Sequence, residues 1–283
     1  MPSLNIQAIL QHDSKQLEAA LNLDSGSARL EVQCLLQTVL QVNRAYLLSH
    51  PEQALDTGQH ERYMTLLERR LNGEPIAYLL GEREFYGLTF NVTPATLIPR
   101  PETELLVELV LQRMPQQGPC RVLDLGTGSG AIALSIAHAR PDANVTATDA
   151  SVAALEIAQS NAQRLNIGNV RLLHGDWFSA LGGERFDIIV SNPPYITAED
   201  VHLARGDVRF EPRTALVSGK DGLDDIRHIC REAKAHLRPN GLLIMEHGYD
   251  QAAQVRALLE QSGFGEIFSA RDLSGIERVS GGT

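Results

Sequence analysis

Apolar residues recur at two different spacings along the 283-residue chain, and the change between them divides it into two parts. Up to about residue 72 they return every three or four positions, as on one face of an amphipathic helix. Two such stripes comprise Ala28, Val32, Leu35, Leu36 and Val39, and Tyr63, Leu66, Leu67 and Leu71. We therefore expect residues 1–80 to form a small all-helical bundle with these stripes in its core.

Short apolar segments of strand length replace the helical pattern after residue 80. Around Gly87, residues 84–86 and 88–92 predict a β-hairpin, so residues 81–98 are expected to link two domains. Five further predicted strands alternate with amphipathic helices and cover residues 121–125, 145–149, 170–174, 186–191 and 242–246. This alternation indicates a doubly wound, mostly parallel α/β sheet over residues 99–283, with a closing antiparallel pair near its end.

Composition and charge restrict the classes of protein that fit this pattern. Acidic residues outnumber basic ones by 35 to 25, a formal net charge of −10, and the lack of a long Lys/Arg run argues against extended nucleic-acid binding. Cys34, Cys120 and Cys230 lie far apart, so we expect neither a disulfide framework nor a metal site. No leader pattern and no apolar stretch of about 20 residues is present, which favours a cytoplasmic protein without a membrane span.

A glycine-rich turn follows the first strand of the predicted sheet, where doubly wound folds bind ligands. It comprises Gly126, Thr127, Gly128, Ser129 and Gly130. Three glycines in five residues permit positive φ angles and let a ligand lie against bare backbone at the start of a helix. Because the turn also fits the dinucleotide pattern G-x-G-x-x-A, it does not by itself identify the ligand.

Two further positions at predicted strand ends suit a nucleoside. Asp149 ends the second strand, 19 residues after Gly130, where a carboxylate can accept both hydrogens of a ribose diol. Asp176 and Trp177 follow the third strand. We expect Asp176 to accept from an adenine amino group and Trp177, the only tryptophan, to stack on or flank the ring.

The tetrad Asn192-Pro193-Pro194-Tyr195 follows the fourth strand and carries the predicted chemistry. The two prolines stiffen the backbone and hold Asn192 in extended geometry. The Asn192 side-chain carbonyl and the Pro193 main-chain carbonyl can each accept one hydrogen from a planar NH₂ group, with the Tyr195 ring against its face. The tetrad offers no acid for hydride transfer, so it favours methylation of an amide or amino nitrogen over a nicotinamide enzyme. The simpler alternative is a sharp turn at a strand exit.

Two other regions have less certain roles. Residues 98–104, Ile-Pro-Arg-Pro-Glu-Thr-Glu, have the pattern of a helix start, with Pro101 in the first turn and Glu102 and Glu104 near the positive end of the helix dipole. That interpretation leaves Arg100 unexplained. The loops at residues 210–212 and 220–222 either line a substrate channel or are ordinary turns.

The motifs taken in order resemble class I S-adenosylmethionine-dependent methyltransferases. Together with residues 98–104, the helical N-terminal part and the hairpin, they resemble the HemK/PrmC family of release factor glutamine N5-methyltransferases. The resemblance implies a seven-stranded, Rossmann-like sheet, S-adenosyl-L-methionine as cofactor, and the glutamine of a Gly-Gly-Gln loop in class 1 release factors as substrate. Because the cofactor motifs all lie after residue 120, we also expect residues 1–80 to dock that substrate.

The same resemblance assigns roles to individual residues. The cofactor-binding set would be Gly126, Thr127, Gly128, Ser129, Gly130, Asp149, Asp176, Trp177 and Asn192. Asn192, Pro193 and Tyr195 would be catalytic, and these three with Pro194 and Arg100 would bind the glutamine.

Three alternatives fit parts of the pattern. A sister subgroup methylates a ribosomal-protein glutamine but departs from the Arg-Pro-Glu-Thr-Glu pattern present here. DNA adenine methyltransferases share the tetrad, but they must flip a base and grip phosphates, which the net charge of −10 does not favour. A noncatalytic cofactor-binding module would not need the intact tetrad.

Overall fold

The computed structural model describes residues 5–116 and 118–283. The chain forms two compact units, one comprising residues up to 81 together with 202–210, and the other comprising residues 82–201 and 211–283. No helix within the described ranges is long and apolar enough to span a lipid bilayer.

The first unit is a bundle of helices. Its helices are α1 (Ile6–Leu21), α2 (Ser25–Leu40), α3 (Arg44–Ser49), α4 (Thr57–Leu71) and α5 (Ile76–Leu80). Each of the first four begins after an asparagine or aspartate whose side chain accepts a hydrogen bond from a free backbone N–H group of the first turn. The predicted stripes on α2 and α4 form the core, in which Val32, Leu35 and Tyr63 are fully buried. The expected helical region is therefore confirmed.

The buried Arg70 on α4 fastens a distant segment to this bundle. Its side chain is 3% exposed and donates from Nε to Glu31 (2.8 Å) and from Nη1 to Asp207 (3.1 Å). Arg209 of the same segment donates to the main-chain oxygen of Asn72 (2.6 Å). Residues 202–210 consequently fold with the helical unit, whereas the predicted domain boundaries placed them in the α/β part. Ion pairs between residues this far apart in sequence leave no local pattern from which they could be predicted.

The predicted hairpin is present, with strands β1 (Glu82–Phe85) and β2 (Leu88–Asn91). Its turn residues Tyr86 and Gly87 have φ angles of 51° and 74°, as a tight turn of the I′ type requires. Phe85 and Phe90 are buried in the core of the second unit. The hairpin therefore follows the helical unit in sequence and packs into the α/β unit.

The second unit contains a seven-stranded sheet with helices packed against it. Its elements are α6 (Glu104–Arg113), β3 (Arg121–Leu125), α7 (Ala131–Ala139), β4 (Asn144–Asp149), α8 (Val152–Arg164), β5 (Val170–His174), β6 (Phe186–Ser191), α9 (Asp224–His236), β7 (Leu237–Glu246), α10 (Ala252–Gln261), β8 (Phe268–Arg271) and β9 (Glu277–Gly282). The strand order is β5-β4-β3-β6-β7-β9-β8, and β9 pairs antiparallel with both β7 and β8, while the other neighbouring strands pair parallel. The predicted fold class is confirmed.

The carboxyl ends of the central strands are in register. Leu125 at the end of β3 pairs with Thr148 of β4 and with Ser191 of β6, and Ser191 pairs with Met245 of β7. The residues that follow these positions therefore emerge side by side at one edge: Asp149, Gly126, Asn192 and Glu246. Since β4 and β6 lie on opposite sides of β3, this edge holds a topological switch point, where doubly wound folds bind ligands.

The Arg70 contacts predict a selective effect of substitution. Arg70→Ala leaves Glu31 without its buried partner and releases Asp207, so we expect a loss of about 3 kcal/mol in the free energy of unfolding. Amide hydrogen exchange across residues 202–210 should accelerate at the same time. The control is Arg69→Ala, which removes an exposed ion pair with Glu74 and should cost less than about 1 kcal/mol. Equal losses for the two variants, or unchanged exchange at 202–210, would contradict this role of Arg70.

Candidate active site

A cavity of about 420 Å³ opens at the carboxyl edge of the sheet, within the α/β unit. It brings together most of the predicted site residues, namely Arg100, Gly126, Thr127, Gly128, Ser129, Asp149, Asp176, Trp177, Asn192 and Pro194. Three of the predicted residues, Gly130, Pro193 and Tyr195, are not part of its lining.

The glycine turn adopts the conformation that its sequence requires. Gly126, Gly128 and Gly130 have φ angles of 70°, 57° and 84°. At Gly130, which begins α7, a Cβ atom would lie 2.9 Å from Leu134 Cδ1 and 3.3 Å from the Ala158 side chain. Gly130 therefore allows close packing of α7 and α8 beneath the turn, while Gly126 and Gly128 leave its backbone open to the cavity.

Asp124 lies buried directly before this turn and was given no role of its own by the sequence. Its Oδ2 accepts from Thr127 Oγ1 (2.6 Å) and from the Ala133 N–H (3.2 Å), while Oδ1 has no partner. Burial raises the pKa of Asp124 to about 7. The sequence signal for Asp124 was a carboxyl group within an otherwise apolar strand. In the structure this buried carboxyl braces the turn and keeps one oxygen free to accept a hydrogen bond.

The carboxylate of Asp149 is held at both oxygens. Oδ2 accepts from the Gly128 N–H (2.8 Å), and Oδ1 accepts from the Ser151 N–H (2.8 Å). Each carboxylate oxygen has a second lone pair, so two acceptor positions remain for a diol. The residue therefore joins the glycine turn to β4 and is fixed in orientation at the cavity wall.

Trp177 lies against the glycine turn. The ring atom Cζ3 is 3.4 Å from the position that a Cβ on Gly126 would take, so Gly126 leaves room for the indole. Trp177 itself has a φ of 46°, and its carbonyl accepts from Thr148 Oγ1 (3.1 Å). The neighbouring Asp176 is exposed at the cavity rim. This wall offers a flat apolar face beside an acceptor, which suits a purine ring.

Asn192 is oriented by a hydrogen bond from its amide nitrogen. Nδ2 donates to Thr103 Oγ1 (3.2 Å), so Oδ1 is the end of the amide left to accept from a ligand. The preceding Ser191 donates from its hydroxyl to the Leu125 carbonyl (2.8 Å). The start of the tetrad is thereby tied to the end of β3, next to the glycine turn.

Tyr195 forms part of the wall behind the cavity. Its hydroxyl donates to Glu246 Oε1 (3.2 Å), and its carbonyl accepts from Gln251 Nε2 (3.0 Å). A Cβ at Gly222 would overlap with the Tyr195 carbonyl oxygen, so the loop at 220–222 packs against the tetrad. Burial, with the nearby Glu246 carboxylate, raises the pKa of Tyr195 and keeps the phenol neutral. Contact between this ring and a substrate amide remains a prediction.

Glu246, which ends β7, is a polar residue of the site that the sequence did not identify. Its side chain is 2% exposed, and Oε2 has no hydrogen-bond partner. Burial raises the pKa of Glu246 to about 7, an effect opposed by the nearby hydroxyl groups of Thr103 and Tyr195. A carboxylate at the end of an apolar strand was the same signal that identified Asp149. The carboxyl lies buried behind the tetrad.

Arg100 has a specific partner in the loop at 210–212. The side chain of Glu211 is fully buried, and it accepts from Arg100 Nη2 and from the Ile98 N–H (3.1 Å). The next residue, Pro212, lines the cavity. This loop is therefore part of the cavity wall, and the Arg100 charge is held at its edge by the Glu211 carboxylate.

Comparison with known protein families adds a second kind of observation. A family model described as the methyltransferase small domain matches residues 102–208, and one described as the PrmC N-terminal domain matches residues 8–81. A release factor glutamine methyltransferase of Bordetella pertussis is 54% identical over 92% of this chain and 96% of its own length. One from Salmonella typhimurium is 51% identical over 92% of this chain and 93% of its own.

A solved structure shares the fold of the α/β unit. The 16S rRNA N2 G1207 methyltransferase of T. Thermophilus, in complex with AdoMet and guanosine, is 26% identical with a TM-score of 0.53. The similarity covers 71% of this chain and 49% of that one.

The buried Asp124 predicts a pH-dependent contribution to stability. Its pKa rises from 3.8 to about 7 on folding, so the folded state binds the proton more tightly than the unfolded chain does. The free energy of unfolding should therefore fall as pH rises from about 4 to about 7, by on the order of 4 kcal/mol from this group. Asp124→Asn removes the titration and keeps an acceptor for Thr127. In urea titrations without ligand, the variant should gain stability relative to wild type across this range, and a pH-independent difference would refute the assignment.

Proposed function

Since the chain belongs to the family of release factor glutamine methyltransferases, we propose that it methylates the N5 atom of the Gly-Gly-Gln glutamine in class 1 release factors. The observation that best supports this chemistry is the orientation of Asn192, whose amide nitrogen is bound to Thr103 and whose carbonyl is left for the substrate. This acceptor lies at the strand end beside the glycine turn, where a methyl donor and an amide can meet.

The cavity suits S-adenosyl-L-methionine, the cofactor of this family. The open backbone of Gly126 and Gly128 would hold the methionine part, Asp149 the ribose, and Trp177 with Asp176 the adenine. The unpaired Oδ1 of Asp124 beneath the turn adds a spare acceptor. A volume of about 420 Å³ lies within the usual range for small-molecule sites. When bound, the cofactor supplies an electrophilic methyl group.

The tetrad acts on the acceptor nitrogen through hydrogen bonds. An amide lone pair is delocalised, so the nitrogen becomes nucleophilic only as it pyramidalises and gains positive charge. The Asn192 Oδ1 and Pro193 main-chain oxygens would accept its two hydrogens and stabilise that charge more in the transition state than in the ground state. No strong base is needed, because the proton becomes acidic as the new bond forms. The neutral Tyr195 phenol, bound to Glu246, would complete the wall beside the amide.

The substrate enters as a loop of a folded protein. Two glycines before the glutamine would allow the loop to pass the wall formed by Arg100, Glu211 and Pro212. We also propose that the helical unit, residues up to 81 with 202–210, holds the body of the release factor. Residues 202–210 support this role, because this segment of the helical unit begins only seven positions after Tyr195 of the tetrad.

A methylation assay with competing substrates tests the function. The protein is incubated with labelled S-adenosyl-L-methionine and a purified release factor, a ribosomal-protein substrate or DNA, and the label is located by mass spectrometry. We expect it on the glutamine of the Gly-Gly-Gln loop. Label found only on ribosomal protein or DNA would overturn the proposal.

Docking by the helical unit is tested with two substrates of different size. It requires a higher kcat/KM for intact release factor than for a short Gly-Gly-Gln peptide, and equal values would exclude it.

Substitution of Asn192 should affect the chemical step. Asn192→Ala removes an acceptor whose hydrogen bond becomes stronger in the transition state, so we expect kcat to fall about 10²- to 10³-fold while cofactor affinity changes little.

Asp149→Ala should instead affect cofactor binding. We expect it to weaken that binding by roughly tenfold or more, because charged hydrogen bonds are lost. Single-turnover assays and calorimetry separate the two effects. Asn144→Ala, at an exposed asparagine that does not line the cavity, is the control. Near-normal methyl transfer by Asn192→Ala would contradict the catalytic role of Asn192 and leave the tetrad as an ordinary turn at a strand exit.

A further inference from the structure

Two buried side chains hold the two ends of the tetrad. Glu246 Oε1 accepts from the Tyr195 hydroxyl (3.2 Å). Thr103, which is 4% exposed, accepts from Asn192 Nδ2 (3.2 Å). The β6–β7 register, in which Ser191 pairs with Met245, brings Glu246 beside the tetrad.

These two contacts fix the two side chains of the tetrad that carry polar groups. Asn192 Nδ2 donates to the Thr103 oxygen, so Oδ1 is left to accept from a substrate. The Tyr195 hydroxyl donates its one proton to Glu246, which fixes the direction of the phenol.

The Glu246 carboxyl is costly to maintain for a purely structural purpose. Its side chain is 2% exposed, and its Oε2 has no hydrogen-bond partner. A buried carboxylate with an unpaired oxygen is destabilising, and such groups in folded proteins usually have a functional reason.

We propose that Thr103 and Glu246 are positioning residues for methyl transfer. Thr103 orients Asn192, and Glu246 holds Tyr195, so the two residues together set the geometry of the tetrad. Neither residue touches the reacting atoms. The inference rests on the proposed function, because it assigns the two residues to that reaction.

The first experiment removes only the Thr103 hydroxyl. Thr103→Val keeps the shape of the side chain, and we expect single-turnover methylation of intact release factor to slow about 10- to 100-fold. Cofactor affinity and the KM for release factor should stay within about threefold, since the variant loses orientation and not a binding contact. Thr103→Ser should restore the rate to within about threefold. The control Thr146→Val makes the same change at a buried threonine on β4 whose hydroxyl contacts Arg171 instead.

The second experiment asks whether Thr103 acts through Asn192. Thr103 lines the cavity, so a direct contact with substrate is the competing explanation. If it acts only by orienting Asn192, Thr103→Val added to Asn192→Ala should slow transfer no further. Glu246→Gln, tested alone, should also be slow, because it removes the negatively charged acceptor that holds the Tyr195 hydroxyl.

The outcomes separate the inference from the function on which it rests. Multiplied losses in the double variant, or a normal rate for Thr103→Val or Glu246→Gln, would overturn the positioning role while wild-type methylation of release factor left the function intact. Failure of wild type to methylate release factor would instead refute the proposed function.

Discussion

Parallel pairing of β4, β3, β6 and β7 brings Asp149, Gly126, Asn192 and Glu246 to one edge of the sheet. Alternate side chains of these strands fill separate apolar clusters on the two faces of the sheet, so a shift of one residue in any pairing would disrupt both clusters. Packing of the core therefore fixes the alignment of the strand ends. The loops that follow supply the cavity walls.

The edge contains groups that reduce the stability of the fold. Asp124 and Glu246 are buried carboxyls, each with one unpaired oxygen, and burial raises both pKa values to about 7. Gly126 and Gly128 cost conformational entropy on folding. These features lie beside the glycine turn or the tetrad, while the apolar clusters on the two faces of the sheet supply the stabilisation that tolerates them. Unfavourable groups concentrate where ligands are bound and oriented.

Local patterns predicted much of this structure because each depends on neighbouring residues. Strand β3, strand β5 and strand β6 have the predicted bounds, since apolar runs bounded by turn residues define them. The turn at Gly87 and the placement of Asp149 followed in the same way. What the sequence did not reveal joins distant segments: Glu211 to Arg100, Asn192 to Thr103 and Asp207 to Arg70. Such pairs depend on tertiary proximity, which no local periodicity encodes.

The local sequence pattern of residues 98–104 predicted a helix start but not the contacts that these residues make with other segments. Its helix start is present as a short 3₁₀ turn before α6, but the polar residues do more than interact with a helix dipole. Arg100 is held by Glu211, Thr103 contacts Asn192, and Glu104 Oε1 accepts from the Tyr86 N–H of the hairpin turn (2.9 Å). Each therefore fastens the stretch to a different neighbouring segment. A change at Arg100 or Thr103 should therefore alter the cavity wall through its partner, because both residues line that wall.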